Sequence, residues 1–128
     1  MEDYVYAPSK WTEADIARER ELRERCREGG PGTHKVQYRE ALQEAMREEL
    51  ERDPNVFLMG EDIGLYGGAY GATRTLFNEF GPERVRDTPI SEATIGGSAV
   101  GAAMCGMRPV AEIMYVDFTP LAMDQIAN

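Results

Sequence analysis

The sequence has few of the side chains that build disulfide-stabilised or metal-binding proteins. Among its 128 residues are one histidine, His34, and two cysteines, Cys26 and Cys105, with no metal-ligand spacing around them. This content excludes a disulfide framework, predicts no metal site and favours a reducing compartment. The longest weakly polar run, residues 98 to 107, is far too short to span a membrane. Because no basic flank followed by an apolar stretch opens the sequence, we expect a cytoplasmic protein.

Basic residues are also scarce over most of the chain. The formal net charge is -9, and residues 1 to 35 contain eight acids and seven bases, which leaves fifteen acids against seven bases from 36 to 128. Nucleic acids and anionic membrane surfaces both require clustered Lys and Arg on a protein that binds them. We therefore expect neither as a partner. The length suits one ordinary domain.

Composition changes at about residue 35. Residues 12 to 28 are highly charged with few apolar side chains, and a Gly-Gly-Pro-Gly sequence follows them. This pattern predicts a solvated helical arm, with a docking arm for a partner chain as the alternative. Next, apolar residues recur at spacings of three and four up to Pro54, which predicts a helix. We expect an arm and linker over 1 to 35 and a folded domain over 36 to 128.

Helices and strands alternate through the folded domain. The stretches "VFLM", "RVRDTP" and "PVAEIMYV" predict three strands, and the first, a continuous apolar run, is expected to be covered on both faces. Helices are predicted at about 74 to 80, over the small-residue stretch 91 to 107, and after Thr119, which is a plausible N-cap. Such alternation predicts a parallel, three-layer, Rossmann-like α/β fold. Because three strands leave a sheet edge open, we expect an incomplete domain that self-associates or belongs to a larger one.

A glycine-rich loop, residues 60 to 71, follows the first strand. Its spacing is not Gly-x-Gly-x-x-Gly and no Gly-Lys-Ser/Thr occurs, so a phosphate loop is disfavoured. We expect a mobile active-site loop or a long turn made flexible by its glycines. Glu61 and Asp62 lie at the carboxyl end of the strand, where parallel sheets bind ligands. The residues alone leave open whether these acids form a site or a solvated turn.

Glu92 opens the small-residue helix and has two possible roles. A first-turn acid, with Ser91 or Thr88 near the cap position, complements the helix dipole. Alternatively, a carboxyl group in an apolar site beside Ile90 and Ile95 would have a raised pKa and could exchange a proton with a ligand. Spacing does not choose between these roles.

The same helix has interior glycines at positions 96, 97 and 101. Three interior glycines cost on the order of 2.5 to 3 kcal/mol relative to alanine, so close packing must offset them. The sheet, a ligand or a partner helix could supply that packing. The spacing of four between Gly97 and Gly101 permits another backbone to approach closely.

From about Val36 to Asn128 the sequence resembles the start of the beta chain of thiamine-diphosphate-dependent 2-oxo acid dehydrogenases, of the pyruvate and branched-chain type. The stretches "DTPISE", "GMRPVAE" and "MDQI" carry the resemblance, which also extends to the beta chain of acetoin dehydrogenase. It implies a beta-subunit portion of an enzyme that oxidatively decarboxylates a 2-oxo acid and transfers the acyl group to lipoyl. Acetoin cleavage and a non-catalytic interaction module are the alternatives.

The resemblance implies that this part of the chain binds the aminopyrimidine ring of thiamine diphosphate. Glu92, in "DTPISE", matches the family's catalytic carboxyl group, which hydrogen-bonds a ring nitrogen and exchanges a proton with it. Phe118 matches the aromatic residue that stacks on the ring. Glu61 matches a second acid near the site, and Ile90 and Met114 match residues that line the pocket.

The resemblance also implies partners. In the family an alpha chain holds the diphosphate and magnesium through a Gly-Asp-Gly motif that this sequence lacks. Gly97 and Gly101 match a G-x-x-x-G contact with a second beta chain. The heterotetramer passes acyl groups to a lipoyl-bearing acyltransferase core. Because the family's beta chain is more than twice as long, we expect this chain to form half of a site and to be inactive alone.

Overall fold

The computed structural model describes Glu13, Ala14, Ala17, Glu21 and residues 37–127. Contacts divide the chain into two units, residues 1–36 and residues 37–128. In the first unit the four described residues are helical and exposed. The rest of the expected arm and its linker, with His34 and Cys26, lies outside the described residues.

The second unit alternates helices and strands. Its elements are α1 (Tyr38–Arg52), β1 (Val56–Gly60), α2 (Leu76–Phe80), β2 (Val85–Asp87), α3 (Glu92–Met104), β3 (Arg108–Ala111), a 3-10 helix (Val116–Phe118) and α4 (Thr119–Ala127). The strands form a parallel sheet in the order β2-β1-β3. The parallel α/β fold predicted from the sequence is confirmed.

The central strand β1 separates two layers of helices. All five of its residues are buried. Because successive side chains point to opposite faces of a sheet, Val56 and Leu58 contact one core cluster while Phe57 and Met59 contact another. The apolar run "VFLM" therefore has a partner layer on each side, as its composition predicts.

One side of the sheet, which we call the closed face, is covered by α1 and α2. Its core residues are at most 5% exposed: Leu50, Val56, Leu58, Ile63, Leu76 and Val85. Arg47 of α1 joins the two helices by donating from Nε to Glu79 Oε2 (2.7 Å) and from Nη2 to Thr75 Oγ1 (2.8 Å). The pKa of Glu79 is lowered from 4.5 to about 2, chiefly by the hydrogen bond from Arg47 and next by a hydrogen bond with Thr75.

The other side, which we call the open face, comprises α3, the 3-10 helix and α4. Its core is smaller and contains the buried residues Phe57, Met59 and Ile95. α4 packs on α3, where a Cβ added at Gly96 would lie 3.2 Å from the Cβ of Ala122. Many large apolar side chains of this face are at least 40% exposed: Val100, Met104, Val116, Leu121, Met123 and Ile126.

Several boundaries differ from the sequence-based prediction, and the structure explains two of the differences. β3 ends at Ala111, although the apolar pattern continues to Val116. Because its neighbour β1 ends at Gly60, the bond from Glu112 N–H to Met59 O (2.9 Å) is the last one across this pair. Thr119 is the first residue of α4 rather than its N-cap, since the 3-10 helix leads directly into α4.

Candidate functional site

Polar side chains gather where the parallel strands end. Glu61 follows β1, Thr88 follows β2, Glu112 follows β3, and Glu92 is the first residue of α3. The carboxyl ends of parallel strands lie at one edge of the sheet and are the usual place for ligands in such folds. The strand order therefore brings these side chains to the same edge.

Glu61 and Thr88 are neighbours across the sheet. Gly60 pairs with Asp87 in the β1–β2 register, and Thr88 N–H donates to Gly60 O at 2.9 Å. One residue further on, the side chains of Glu61 and Thr88 point to the face that carries α3, because side chains alternate along a strand. Glu92 begins α3 on this face.

Two buried polar atoms at this point have no partner. Within the described part of the chain, Glu61 Oε1 and Thr88 Oγ1 are buried and make no hydrogen bond, either to each other or to any other group. Glu61 is only 7% exposed. Buried side-chain oxygens nearly always have a partner. Two adjacent open hydrogen-bonding positions therefore fit the polar edge of a ligand.

The electrostatics of this edge favour a protonated carboxyl group. Burial is the main cause that raises the pKa of Glu61, and the negative charges of Glu92 and Asp62 raise it further. Burial also raises the pKa of Glu112. A carboxylic acid that keeps its proton can donate a hydrogen bond as well as accept one. Glu61 can therefore accept a hydrogen bond from a ligand and, when protonated, donate one.

Glu92 lies at the half-buried start of α3, next to the N-cap residue Ser91. The Ser91 hydroxyl lies 2.7 Å from the Thr94 hydroxyl and makes no cap hydrogen bond to the helix. The amino end of α3 therefore lacks a side-chain cap at the point where Glu92 and Glu61 approach each other. Its helix dipole favours negative charge at this position.

The other predicted pocket residues lie at the rim of the open face. Phe118 is 44% exposed and contacts Tyr115 edge to face, with ring centroids 6.0 Å apart. Tyr115 contacts Tyr70 of the glycine-rich loop in the same way at 6.4 Å. Met114 is half-buried, whereas Ile90 is 82% exposed. The roles of Phe118, Met114 and Ile90 in binding stay predictions.

The glycine-rich loop is held in a defined conformation. Gly64 N–H donates to Asp87 Oδ1 at 2.6 Å, and the Thr73 hydroxyl donates to Ile63 O at 2.7 Å. Gly67 and Gly68 have positive φ angles of 86° and 82°, which favour glycine over other residues. These glycines therefore serve a folded turn as well as giving the loop freedom.

The expected contact glycines of α3 have different surroundings. A Cβ at Gly97 would lie 3.0 Å from Gln125 Oε1 of α4, whereas a Cβ at Gly101 would meet nothing within 4 Å. Part of the close packing that the glycines require is thus supplied by α4 within this chain. Gly101 leaves an open surface, so its contact with a second chain stays a prediction.

Sequence reasoning missed the binding potential of Thr88 and the anchoring roles of Asp87 and Thr73. Thr88 was considered only as a possible cap residue. A signal was present for two of them, because "DT" lies at the carboxyl end of the second strand and so at the ligand-binding edge. Nothing in the sequence indicates that the Thr73 hydroxyl binds the Ile63 carbonyl ten positions earlier.

The described residues offer a ligand several polar groups at this edge: the carboxyl groups of Glu61 and Glu92 and the hydroxyl group of Thr88. Phe118 is partly exposed. In the described part of the chain, no group of three His, Cys, Asp or Glu side chains is placed to hold a metal ion. None of the described helices has the length and apolar character needed to cross a membrane.

Comparison with known proteins gives a consistent picture. Residues 34–128 match the family described as "Transketolase, pyrimidine binding domain". The chain is 48% identical over 107 residues to the mitochondrial pyruvate dehydrogenase E1 component subunit beta of Bos taurus, covering 84% of this chain and 30% of that protein. It is 50% identical over 93 residues to the 2-oxoisovalerate dehydrogenase subunit beta of Bacillus subtilis, covering 73% and 28%. It thus spans less than a third of the length of these relatives.

Proposed function

Because this chain belongs to the transketolase pyrimidine-binding domain family, we propose that it holds the aminopyrimidine ring of thiamine diphosphate in the beta subunit of a 2-oxo acid dehydrogenase. The relatives are named as beta subunits of pyruvate dehydrogenase and 2-oxoisovalerate dehydrogenase. The favoured reaction is the oxidative decarboxylation of pyruvate or a branched-chain 2-oxo acid, with acyl transfer to lipoyl.

The observation that carries the proposal is the pair of unpartnered atoms, Glu61 Oε1 and Thr88 Oγ1. A pyrimidine ring presents a nitrogen acceptor and an amino donor on one edge. A protonated Glu61 donates to such an acceptor, and the Thr88 hydroxyl donates or accepts. The ring would thereby satisfy both buried groups of the chain.

Glu92 has the catalytic role in this proposal. It begins α3 on the face to which Glu61 points, and burial together with the charge of Glu92 raises the pKa of Glu61. In the proposal, Glu92 would hydrogen-bond a ring nitrogen and exchange a proton with it. When bound, the cofactor supplies the carbanion stabilisation that decarboxylation of a 2-oxo acid needs. Phe118 would stack on the ring, with Ile90 and Met114 beside it.

The open face supports a role inside an assembly. Its exposed apolar side chains form the kind of surface that usually marks a protein contact. We assign parts of this surface to an alpha chain, which would hold the diphosphate and magnesium, and to a second beta chain at Gly97 and Gly101. A lipoyl-bearing acyltransferase core would receive the acyl group. Without these partners the chain binds half of the cofactor and does not turn over substrate.

The compartment follows that of the assembled enzyme. The bovine relative is named as mitochondrial, whereas the Bacillus protein carries no compartment in its name. We propose the cytoplasm for this chain, in line with its composition. Imaging of the complete protein with a fluorescent tag tests this assignment, and a mitochondrial or plastid pattern would contradict it.

A chimeric enzyme tests the proposed function. Residues 36–128 replace the matching segment of the Bacillus subtilis beta subunit, which is then assembled with its own alpha subunit. Calorimetry measures thiamine diphosphate binding, and a coupled assay measures turnover of pyruvate, 2-oxoisovalerate and acetoin. We expect cofactor binding and turnover of a 2-oxo acid. The unmodified Bacillus enzyme is the control.

The exposed apolar surface also favours a second candidate, an interaction module without cofactor chemistry. In that case the chimera would assemble with its alpha subunit but would bind no thiamine diphosphate. Turnover of acetoin without turnover of 2-oxo acids would instead assign the chain to acetoin cleavage. Each outcome separates one candidate from the others.

A further inference from the structure

A small basic concavity lies beside the glycine-rich loop and has no part in the proposed cofactor chemistry. Its volume is about 270 Å³. It is lined by two arginines, two tyrosines and the backbone between them: Arg39, Arg74, Tyr66, Tyr70, Gly68, Ala69 and Gly71. Two arginines and two tyrosines, with no acid, give this concavity a composition unlike the acidic remainder of the domain.

Neither arginine is paired with a carboxylate in the described part of the chain. Arg39 Nε donates to Gln37 Oε1 at 3.1 Å, and Arg74 makes no hydrogen bond or ion pair there. Other arginines of this part do find acids, as in Arg47 with Glu79 and Arg86 with Glu83. Arg84 and Arg108 of this part also have no carboxylate partner and donate to backbone carbonyl oxygens instead. What distinguishes this concavity is that two arginines without an acid line the same surface.

The loop conformation holds both arginines at the concavity. Gly67 has a φ of 86°, and a Cβ there would lie 2.6 Å from the Cα of Arg74. Gly71 has a φ of 73°, and its Cβ position lies 3.6 Å from Arg39 Nη1. The close approach at Gly67 fixes the position of Arg74, while the tip of the Arg39 side chain is at an ordinary van der Waals distance from Gly71. The binding groups are therefore contributed by segments more than thirty positions apart in the sequence.

We propose that this concavity binds a small phosphate-bearing ligand. Guanidinium groups bind phosphate through paired, charge-assisted hydrogen bonds, which is the chemistry that Arg39 and Arg74 offer. Tyr66 and Tyr70 are 73% and 66% exposed, so their hydroxyl groups and rings can contact the rest of the ligand. The volume is close to the lower end for small-molecule sites, about 300 Å³, which favours a compact monoester over a nucleotide.

The test is a calorimetric titration of this chain with inorganic phosphate, phenyl phosphate and benzyl alcohol, the last being the uncharged control. NMR spectra that resolve the Tyr66 and Tyr70 rings locate the binding. We expect saturable binding of both phosphates, tighter binding of phenyl phosphate because of the tyrosine rings, and no binding of benzyl alcohol. Arg39→Gln and Arg74→Gln should each weaken phosphate binding about tenfold or more.

Arg86→Gln is the matched control, because it removes an exposed arginine away from the concavity. It should leave both phosphate affinities unchanged. Circular dichroism checks that every variant is folded. If a variant is unfolded, the titration of the unaltered chain still tests the proposal. Absence of saturable phosphate binding would overturn the proposal. An equal loss of affinity in all three variants would also overturn it, because that would show binding to net charge alone.

Discussion

The two faces of the sheet differ in how completely this chain covers them. The closed face buries six large side chains beneath α1 and α2, and Arg47 and Glu79 join those helices. The open face buries three large side chains, Phe57, Met59 and Ile95, and exposes many others of α3, the 3-10 helix and α4. We therefore expect the closed face to supply most of the stability of the single chain.

The candidate site lies at the carboxyl ends of the strands, at an edge of the sheet that borders both faces. Glu61 follows the central strand, and its buried oxygen faces the side that carries α3. The closed face fixes β1 and also Asp87, which anchors the glycine-rich loop through Gly64. Glu61, which follows β1, is thereby held in place. The open face leaves room for a ligand and for partner chains. The following predictions test this division, beginning with the largest effect.

Removing a core side chain from the closed face should have the largest effect. Leu76 is 0% exposed, and Leu76→Ala should lower the free energy of unfolding by about 2 to 5 kcal/mol, because it leaves a cavity. Leu121→Ala on the open face is the matched control. Leu121 is 56% exposed, so its truncation should change the stability of the single chain by about 0.5 kcal/mol or less. Urea denaturation measures both, and equal losses would contradict the division.

Glycine substitutions in α3 distinguish its packed part from its open part. Gly101→Ala should stabilise the single chain by about 0.8 to 1 kcal/mol, because alanine favours helix and the added Cβ meets no atom. Gly96→Ala should gain less or lose stability, because its Cβ would lie 3.2 Å from that of Ala122. Thermal unfolding measures the difference. Sedimentation then shows whether Gly101→Ala weakens self-association, as a second-chain contact at this glycine requires.

Low pH should reduce the stability that the closed face provides, because it protonates Glu79. Its pKa is lowered in the folded chain, so its contribution is present above the ordinary value of 4.5 and is lost as pH falls towards about 2. Because the pair with Arg47 is partly exposed, Glu79→Gln should cost only about 1 kcal/mol or less at pH 7. Urea denaturation from pH 2 to pH 7 should show the two proteins converging at low pH. A constant difference would rule out the ion pair as its cause.

Glu61 should show the opposite pH dependence. Because its pKa is raised in the folded chain, its contribution to stability is most favourable below the ordinary pKa and declines as pH rises through the raised value. Glu61→Gln should therefore gain stability relative to the unaltered chain as pH increases. Glu83→Gln, at an acid whose side chain is 88% exposed, is the control. Parallel pH profiles for Glu61→Gln and the unaltered chain would contradict a raised pKa of the buried Glu61 carboxyl group.

The sequence predicted the architecture better than the details of the site. The run "VFLM" indicated a strand buried on both faces because every one of its residues is apolar, and the structure confirms this. The length of β3 could not be read from its own residues, because it depends on where β1 ends. Likewise, the missing partner of Thr88 depends on contacts across the sheet. Local sequence patterns therefore predict the helices and strands, whereas contacts between segments that are distant in the sequence determine the site.

The central claim is that Glu92 exchanges a proton with a cofactor ring held at Glu61 and Thr88. The most direct test is Glu92→Gln in the chimeric enzyme, measured as turnover of its 2-oxo acid together with calorimetric binding of thiamine diphosphate. Glu83→Gln, at an acid whose side chain is 88% exposed, is the control. We predict that Glu92→Gln still binds the cofactor but loses turnover by about a hundredfold or more, while Glu83→Gln is unaffected. Normal turnover in the Glu92→Gln enzyme would contradict the account.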